Sequence, residues 1–186
     1  MVQYNNNLVY PKICTVLKLP AERFVYPIFK NASTSLEELS ISKIYNKQIY
    51  SISTIDVYWR ESQNRFNSGV NQYLKNNKLL DSATIIELIK RSELVNRHFM
   101  PQYMWLHHLY KYYTGTIKIL DINSLNIPIH RNESKYKGNF IAPAHWIELD
   151  NLIYGKFVGE TIDIKEINKY IQDKHKVLYK KCIAQE

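Results

Sequence analysis

An α/β fold, with a mostly parallel sheet flanked by helices, is what this chain predicts, on three observations. β-Branched and aromatic runs at 23–29, 53–60 and 116–122 read as buried strands. Longer stretches with apolar residues at helical spacing separate them. No repeat, Gly/Ser linker or long proline-rich segment interrupts the pattern, so residues 1–186 read as a single domain. Alternation of strand and helix is the signature of helices packed on the faces of a parallel sheet.

Taken in order, "RFVYPIF" (23–29) is the first strand, and "STSLEELSISKIY" (33–45) a helix that begins in a polar turn. "STIDVYWR" (53–60) is the second strand. "SQNRFNSGVNQYLKNN" (62–77) places Phe66, Val70, Tyr73 and Leu74 on one helical face. "SATIIELIKRSE" (82–93) is a third helix, with Asp81 or Ser82 as its cap. "QYMWLHHLYKYY" (102–113) reads as helix, "TIKILDI" (116–122) as strand, and 144–157 and 163–175 as the last two helices.

The chain is globular in composition, with 45% hydrophobic and 23% charged residues. No apolar run approaches the roughly 18 residues of a membrane span. The first residues show no basic region followed by an apolar stretch, so no leader is expected. Cys14 and Cys182 stand far apart and form neither a metal spacing nor a disulfide framework. A cytoplasmic protein is the simplest expectation. The net charge of +8 favours an anionic partner without choosing its kind.

Two strand ends carry candidate anion cradles. After the first strand come Lys30, then Asn31, Ala32, Ser33, Thr34 and Ser35 at a helix start. Free N–H groups there carry partial positive charge, small side chains let an anion approach, and Lys30 adds a full charge. An ordinary Asn or Ser helix cap is the competing explanation. The lysine precedes the loop, so the stretch is no Walker A motif. Arg60 closes the second strand, with Arg65 and Ser68 following. A guanidinium can hold a phosphate bidentately and a hydroxyl can share it. In an open sheet, ligands bind at the carboxyl ends of the strands, where both cradles fall. Two cradles side by side imply a ligand with two separate anionic groups.

These stretches resemble a known family. "FVYPIFKNASTSL" is similar to the 5′-phosphosulfate loop of sulfotransferases that use 3′-phosphoadenosine-5′-phosphosulfate (PAPS), and "VYWRESQNRFNSGVNQYL" to their 3′-phosphate motif. "RHFMPQYMWL" (97–106) resembles the H-x-x-P-Q segment of the carbohydrate branch, and "IPIHRNESKYKG" (127–138) its later basic segment. The resemblance implies a P-loop-like sulfotransferase fold, with transfer of a sulfuryl group to a hydroxyl or amine acceptor, a small molecule or a glycan. It implies that Asn31, Ala32, Ser33, Thr34 and Ser35 hold the 5′-phosphosulfate and Lys30 the departing charge. Arg60 and Ser68 would hold the 3′-phosphate, and the product is 3′-phosphoadenosine-5′-phosphate. No metal is called for.

The general base is open among His98, Glu37, Glu38 and Asp56. Relatives place a His or Glu between the two cofactor motifs, and no His lies between Lys30 and Arg60 here. Glu37 and Glu38 also suit a helix dipole, and Asp56 a structural place in mid-strand. His107 and His108 read as packing residues. A kinase-like nucleotide-phosphate transferase and a basic nucleic-acid-binding module are the other readings. The basic and aromatic residues form no nucleic-acid motif, so no nucleic-acid partner is expected.

Overall fold

The computed structural model describes residues 13–28, 30–77, 81–91, 93–126 and 138–183, with side chains to residue 175. Six strands form one sheet: β1 (Thr15–Leu19), β2 (Arg23–Val25), β3 (Ser42–Tyr45), β4 (Thr54–Trp59), β5 (Thr116–Asp121) and β6 (Thr161–Asp163). Among the described residues six α-helices accompany it: α1 (Ser33–Leu39), α2 (Ser62–Asn76), α3 (Ser82–Lys90), α4 (Gln102–Tyr110), α5 (Ala144–Phe157) and α6 (Ile164–Ile183).

The strand order is β3-β1-β2-β4-β5-β6. The strands read from the sequence, β2, β4 and β5, lie adjacent and parallel, with Val25 opposite Asp56 and Ile55 opposite Ile117. Around them β1 pairs antiparallel with both β2 and β3, and β6 antiparallel with β5. Three of the five pairings are thus antiparallel, and the sheet is mixed. This overturns the mostly parallel, P-loop-like sulfotransferase fold expected from the sequence.

The reason lies in three short strands. β1 has only five residues and follows the polar start of the chain. β3 occupies the tail of the stretch read as one helix, because α1 ends at Leu39 and Ser40 turns extended. β6 is three residues long and leads directly into α6. β6 is too short to show a period, and neither β1 nor β3 alternates cleanly between buried and exposed positions.

The sheet's two faces differ. Ile55, Val57 and Trp59 of β4 and Ile117 and Ile119 of β5 share a core with Trp105, Leu106 and Leu109 of α4, Leu149 and Ile153 of α5, and Ile167 of α6. On the other face Leu17, Val25 and Tyr58 pack against Leu36 of α1. Lys118 is exposed there. A third cluster joins α2 and α3 to Phe99 and Trp146. Among the described residues, no helix is long and apolar enough to cross a membrane.

Candidate functional site

The loop after β2 is built on two left-handed residues, Lys30 (φ 67°) and Ala32 (φ 57°). Side chains with a Cβ adopt that region at a cost of about 1 kcal/mol or more, so surrounding bonds must hold it. Asn31, between them, is buried and donates from Nδ2 to the Tyr58 carbonyl (2.7 Å) and to Gln102 Oε1 (2.6 Å). Its N–H reaches back to the Ile28 carbonyl at 3.0 Å. The cap residue of α1 is Ala32, which makes no side-chain cap bond. Neither Asn31 nor Ser33 therefore serves as the N-cap, and the ordinary-cap explanation of the loop falls away.

The end of β4 is tied to this loop. Arg60 Nη1 donates to the Lys30 carbonyl at 3.1 Å. Gln102, the first residue of α4, clamps the Arg60 backbone: Oε1 accepts from its N–H (3.1 Å) and Nε2 donates to its carbonyl (2.8 Å). Asp150, buried on α5, accepts from the N–H groups of Gln102 (2.9 Å) and Tyr103 (2.8 Å). An acid at the start of α4 answers the helix dipole and the orphan donors of its first turn. Burial nevertheless pushes the Asp150 carboxyl up to about 6, against the pull of those two N–H groups and of Arg65. Arg65 is buried beside this network and donates to the Met100 carbonyl. Burial lowers its guanidinium to about 10.

α2 divides into three faces. Phe66, Val70 and Leu74 enter the apolar cluster. Gln63, Asn67 and Asn71, spaced by four, grip an extended segment: Gln63 donates to the Phe140 carbonyl and accepts from Ala142 N–H, Asn67 accepts from Phe140 N–H, and Asn71 exchanges bonds with Gly138. Arg65, Ser68 and Gln72, spaced as i, i+3 and i+7, share the third face. Gln72 Oε1 accepts from Lys30 Nζ at 3.4 Å, so this face looks toward the loop. Gly69 lets the turn carrying His98 sit against α2: a Cβ there would come within 2.1 Å of the His98 carbonyl oxygen.

Lys30, Arg60, Arg65, His98 and Lys75 thus converge electrostatically. Burial lowers the Lys30 pKa, and the charges of Arg60, Arg65 and Lys75 lower it further. Burial brings His98 down to about 4, with Lys30, Arg97 and Arg65 contributing. The imidazole is neutral at pH 7, in a field that repels protons. The same field attracts an anion.

Of the residues singled out in the sequence, Lys30, Asn31, Arg60 and His98 meet here, with Ser68 on the facing side of α2. Ala32 and Ser33 are half-buried, Ser35 is buried and Thr34 exposed. The other candidate bases are engaged elsewhere. Asp56 pairs with Arg23 at 2.8 Å, on the face of β4 opposite Ile55 and Val57. Glu37 lies 3.5 Å from Lys43, and Glu38 is exposed on α1. His107 contacts Asn168 (3.0 Å) and His108 the Tyr26 hydroxyl (2.7 Å), both within the packing of α4. The basic stretch at 127–137 lies outside the described residues. No group of three or more metal-ligating side chains occurs among the described residues.

Sequence reasoning gave Asp150 and Gly69 no role, and Gln102 only a place in the H-x-x-P-Q segment, without a function of its own. Asp150 had a legible signal, since it falls inside the apolar stripe Trp146, Leu149, Ile153 and Phe157 of α5. The functions of Gln102 and Gly69 arise only when distant segments meet. No protein-family model, curated protein or solved structure matches this chain.

Proposed function

We propose that the protein is a sulfotransferase that moves a sulfuryl group from PAPS to a hydroxyl or amine acceptor, a small molecule or glycan. The observation that carries this reading is local: two cations, Lys30 in the loop beyond β2 and Arg60 directly after β4, are held side by side, Arg60 donating to the Lys30 carbonyl and Gln102 bonding both Asn31 and the Arg60 backbone. Such a pair suits a ligand with two anionic groups held apart on one scaffold. Burial is the first cause of the lowered Lys30 and His98 pKa values, and neighbouring cations lower both further, a share that a bound anion would offset. Lys30 and Arg60 are half-buried and Arg65 is buried, with Lys75 and Arg97 exposed at the edge, and a partly enclosed charge of this kind favours a small ligand over a nucleic-acid backbone.

In this reading Arg60 and Ser68 hold the 3′-phosphate, and the loop 31–35 holds the 5′-phosphosulfate. PAPS, when bound, supplies the sulfuryl group. Lys30 meets the negative charge that grows on the phosphate as the S–O bond breaks and its electron pair leaves with that oxygen. His98 takes the proton from the acceptor hydroxyl as the acceptor oxygen bonds to sulfur. At a pKa of about 4, set first by burial and then by Lys30, Arg97 and Arg65, it is a weak base, and an anion among those cations offsets their share of the lowering.

The test compares adenosine 3′,5′-bisphosphate with AMP in thermal unfolding, followed by a labelled-PAPS screen against sugars, phenols, lipids and peptides. At a hundred times its Kd the bisphosphate should raise the Tm by about 5–10 °C, with AMP far behind. Equal shifts from both nucleotides, or a PAPS screen with no labelled product, would count against the proposal.

A further inference from the structure

We infer that Gln102 is a positioning residue that sets the separation of the two anion cradles, and so makes the site selective for a ligand with two phosphate-like groups. The inference rests on the sulfotransferase reading above and adds a residue that the reading leaves without a role.

The two cradles belong to chain segments thirty residues apart, and β2 and β4 are themselves joined by a single short parallel register. β2 ends at Val25, so the loop carrying Lys30 to Ser35 starts several residues beyond the last strand pairing. Its placement against Arg60 must come from side chains. Asn31 spends both amide hydrogens on this task, one on the Tyr58 carbonyl of β4 and one on Gln102 Oε1. Gln102 uses that same oxygen for Arg60 N–H and its amide nitrogen for the Arg60 carbonyl. One side chain thus reads both sides of a backbone unit and the loop at once. It cannot slide, because Asp150 holds its own N–H.

Arg60 is half-buried, but Asn31, Gln102 and Asp150 are no more than 2% exposed. Water cannot replace a lost bond there, so the arrangement tolerates little drift. Arg60 closes the circuit by donating to the Lys30 carbonyl. Loosening Gln102 should leave each cradle with its own cation but free the distance between them.

That distinction is measurable. A ligand whose two phosphates engage at once gains from the second contact as an intramolecular event, by a factor that collapses when the spacing no longer matches. Calorimetric affinities for adenosine 3′,5′-bisphosphate, adenosine 3′-monophosphate and AMP should be compared in the wild type and in Gln102→Met, which keeps an unbranched side chain of similar length. The wild type should prefer the bisphosphate over the better monophosphate by on the order of a hundredfold. In Gln102→Met that preference should fall to about tenfold or less, with monophosphate affinities changed by less than about threefold. Asp150→Asn, which weakens the hold on the Gln102 N–H without touching either cradle, should lower the preference too and serves if Gln102→Met does not fold. A folded variant with the full preference, or one that loses all three ligands equally, overturns the positioning role while the site reading stands. A wild type without any bisphosphate preference overturns the site reading, and this inference with it.

Discussion

At the scale of single residues, the site is a collection of cations that disfavour one another. Lys30 is lowered first by its own burial and then by Arg60, Arg65 and Lys75, and its ammonium leans on a single long bond to Gln72. A group so placed is held loosely in the ground state and gains most when negative charge develops beside it. Interactions stronger in the transition state appear in kcat rather than in affinity. Lys30→Ala should therefore bind adenosine 3′,5′-bisphosphate within about tenfold of wild type, yet lose on the order of a hundredfold in turnover. Steady-state kinetics and a binding isotherm on the same preparation check this. Near-normal kcat would remove Lys30 from the chemistry.

At the scale of elements, α2 is the piece on which the site depends. One face closes the apolar cluster, a second grips residues 138–142 through three amides, and the third looks at Lys30. Its contact with the His98 turn is made possible by Gly69, where a Cβ would meet backbone atoms of His98 and Phe99 at 2.1–2.8 Å. Backbone cannot rotate aside as a flexible side chain can. Gly69→Ala should cost about 1–3 kcal/mol of stability, measured by urea unfolding, and should lower activity in the folded fraction as the His98 turn moves outward. A variant with wild-type stability would mean that the turn gives way freely, and that its position against α2 is not set by packing.

At the scale of the whole molecule, two titratable groups, half-buried His98 and buried Asp150, pull the acid stability in opposite directions. His98 has a folded pKa of about 4 against 6.5, so the unfolded chain binds more protons between those values. Its contribution is complete above pH 6.5 and is lost as pH falls through 4. Asp150 is raised from 3.8 to about 6, so the folded chain binds more protons. Its contribution is complete below pH 3.8 and is lost as pH rises through 6. Replacing His98 with Gln leaves Asp150 unopposed. The urea midpoint of His98→Gln should fall less between pH 7 and 4.5 than that of wild type. Equal falls would mean that His98 protonates as readily in the fold as in the unfolded chain.

The sequence by itself determined the three central strands, the main helices and the two cations, Lys30 and Arg60, that follow β2 and β4, because those depend on local pattern. Ile55-Asp56-Val57 and Ile117-Lys118-Ile119 alternate, but β4 and β5 pair in parallel, so this alternation did not distinguish the mixed sheet from a parallel one. The edge strands β1, β3 and β6 were settled only in three dimensions, since three to five residues carry too little pattern and gain their structure from a neighbour's backbone. The same holds for the site. Lys30 and Arg60 announce themselves by charge at strand ends, but their relation depends on Asn31 meeting Gln102 across 71 positions and on Asp150 holding Gln102 from 48 positions further on. Buried hydrogen bonds between distant segments leave no periodicity in the chain, so only the tertiary structure could decide which polar residues face water and which join the two halves of the site.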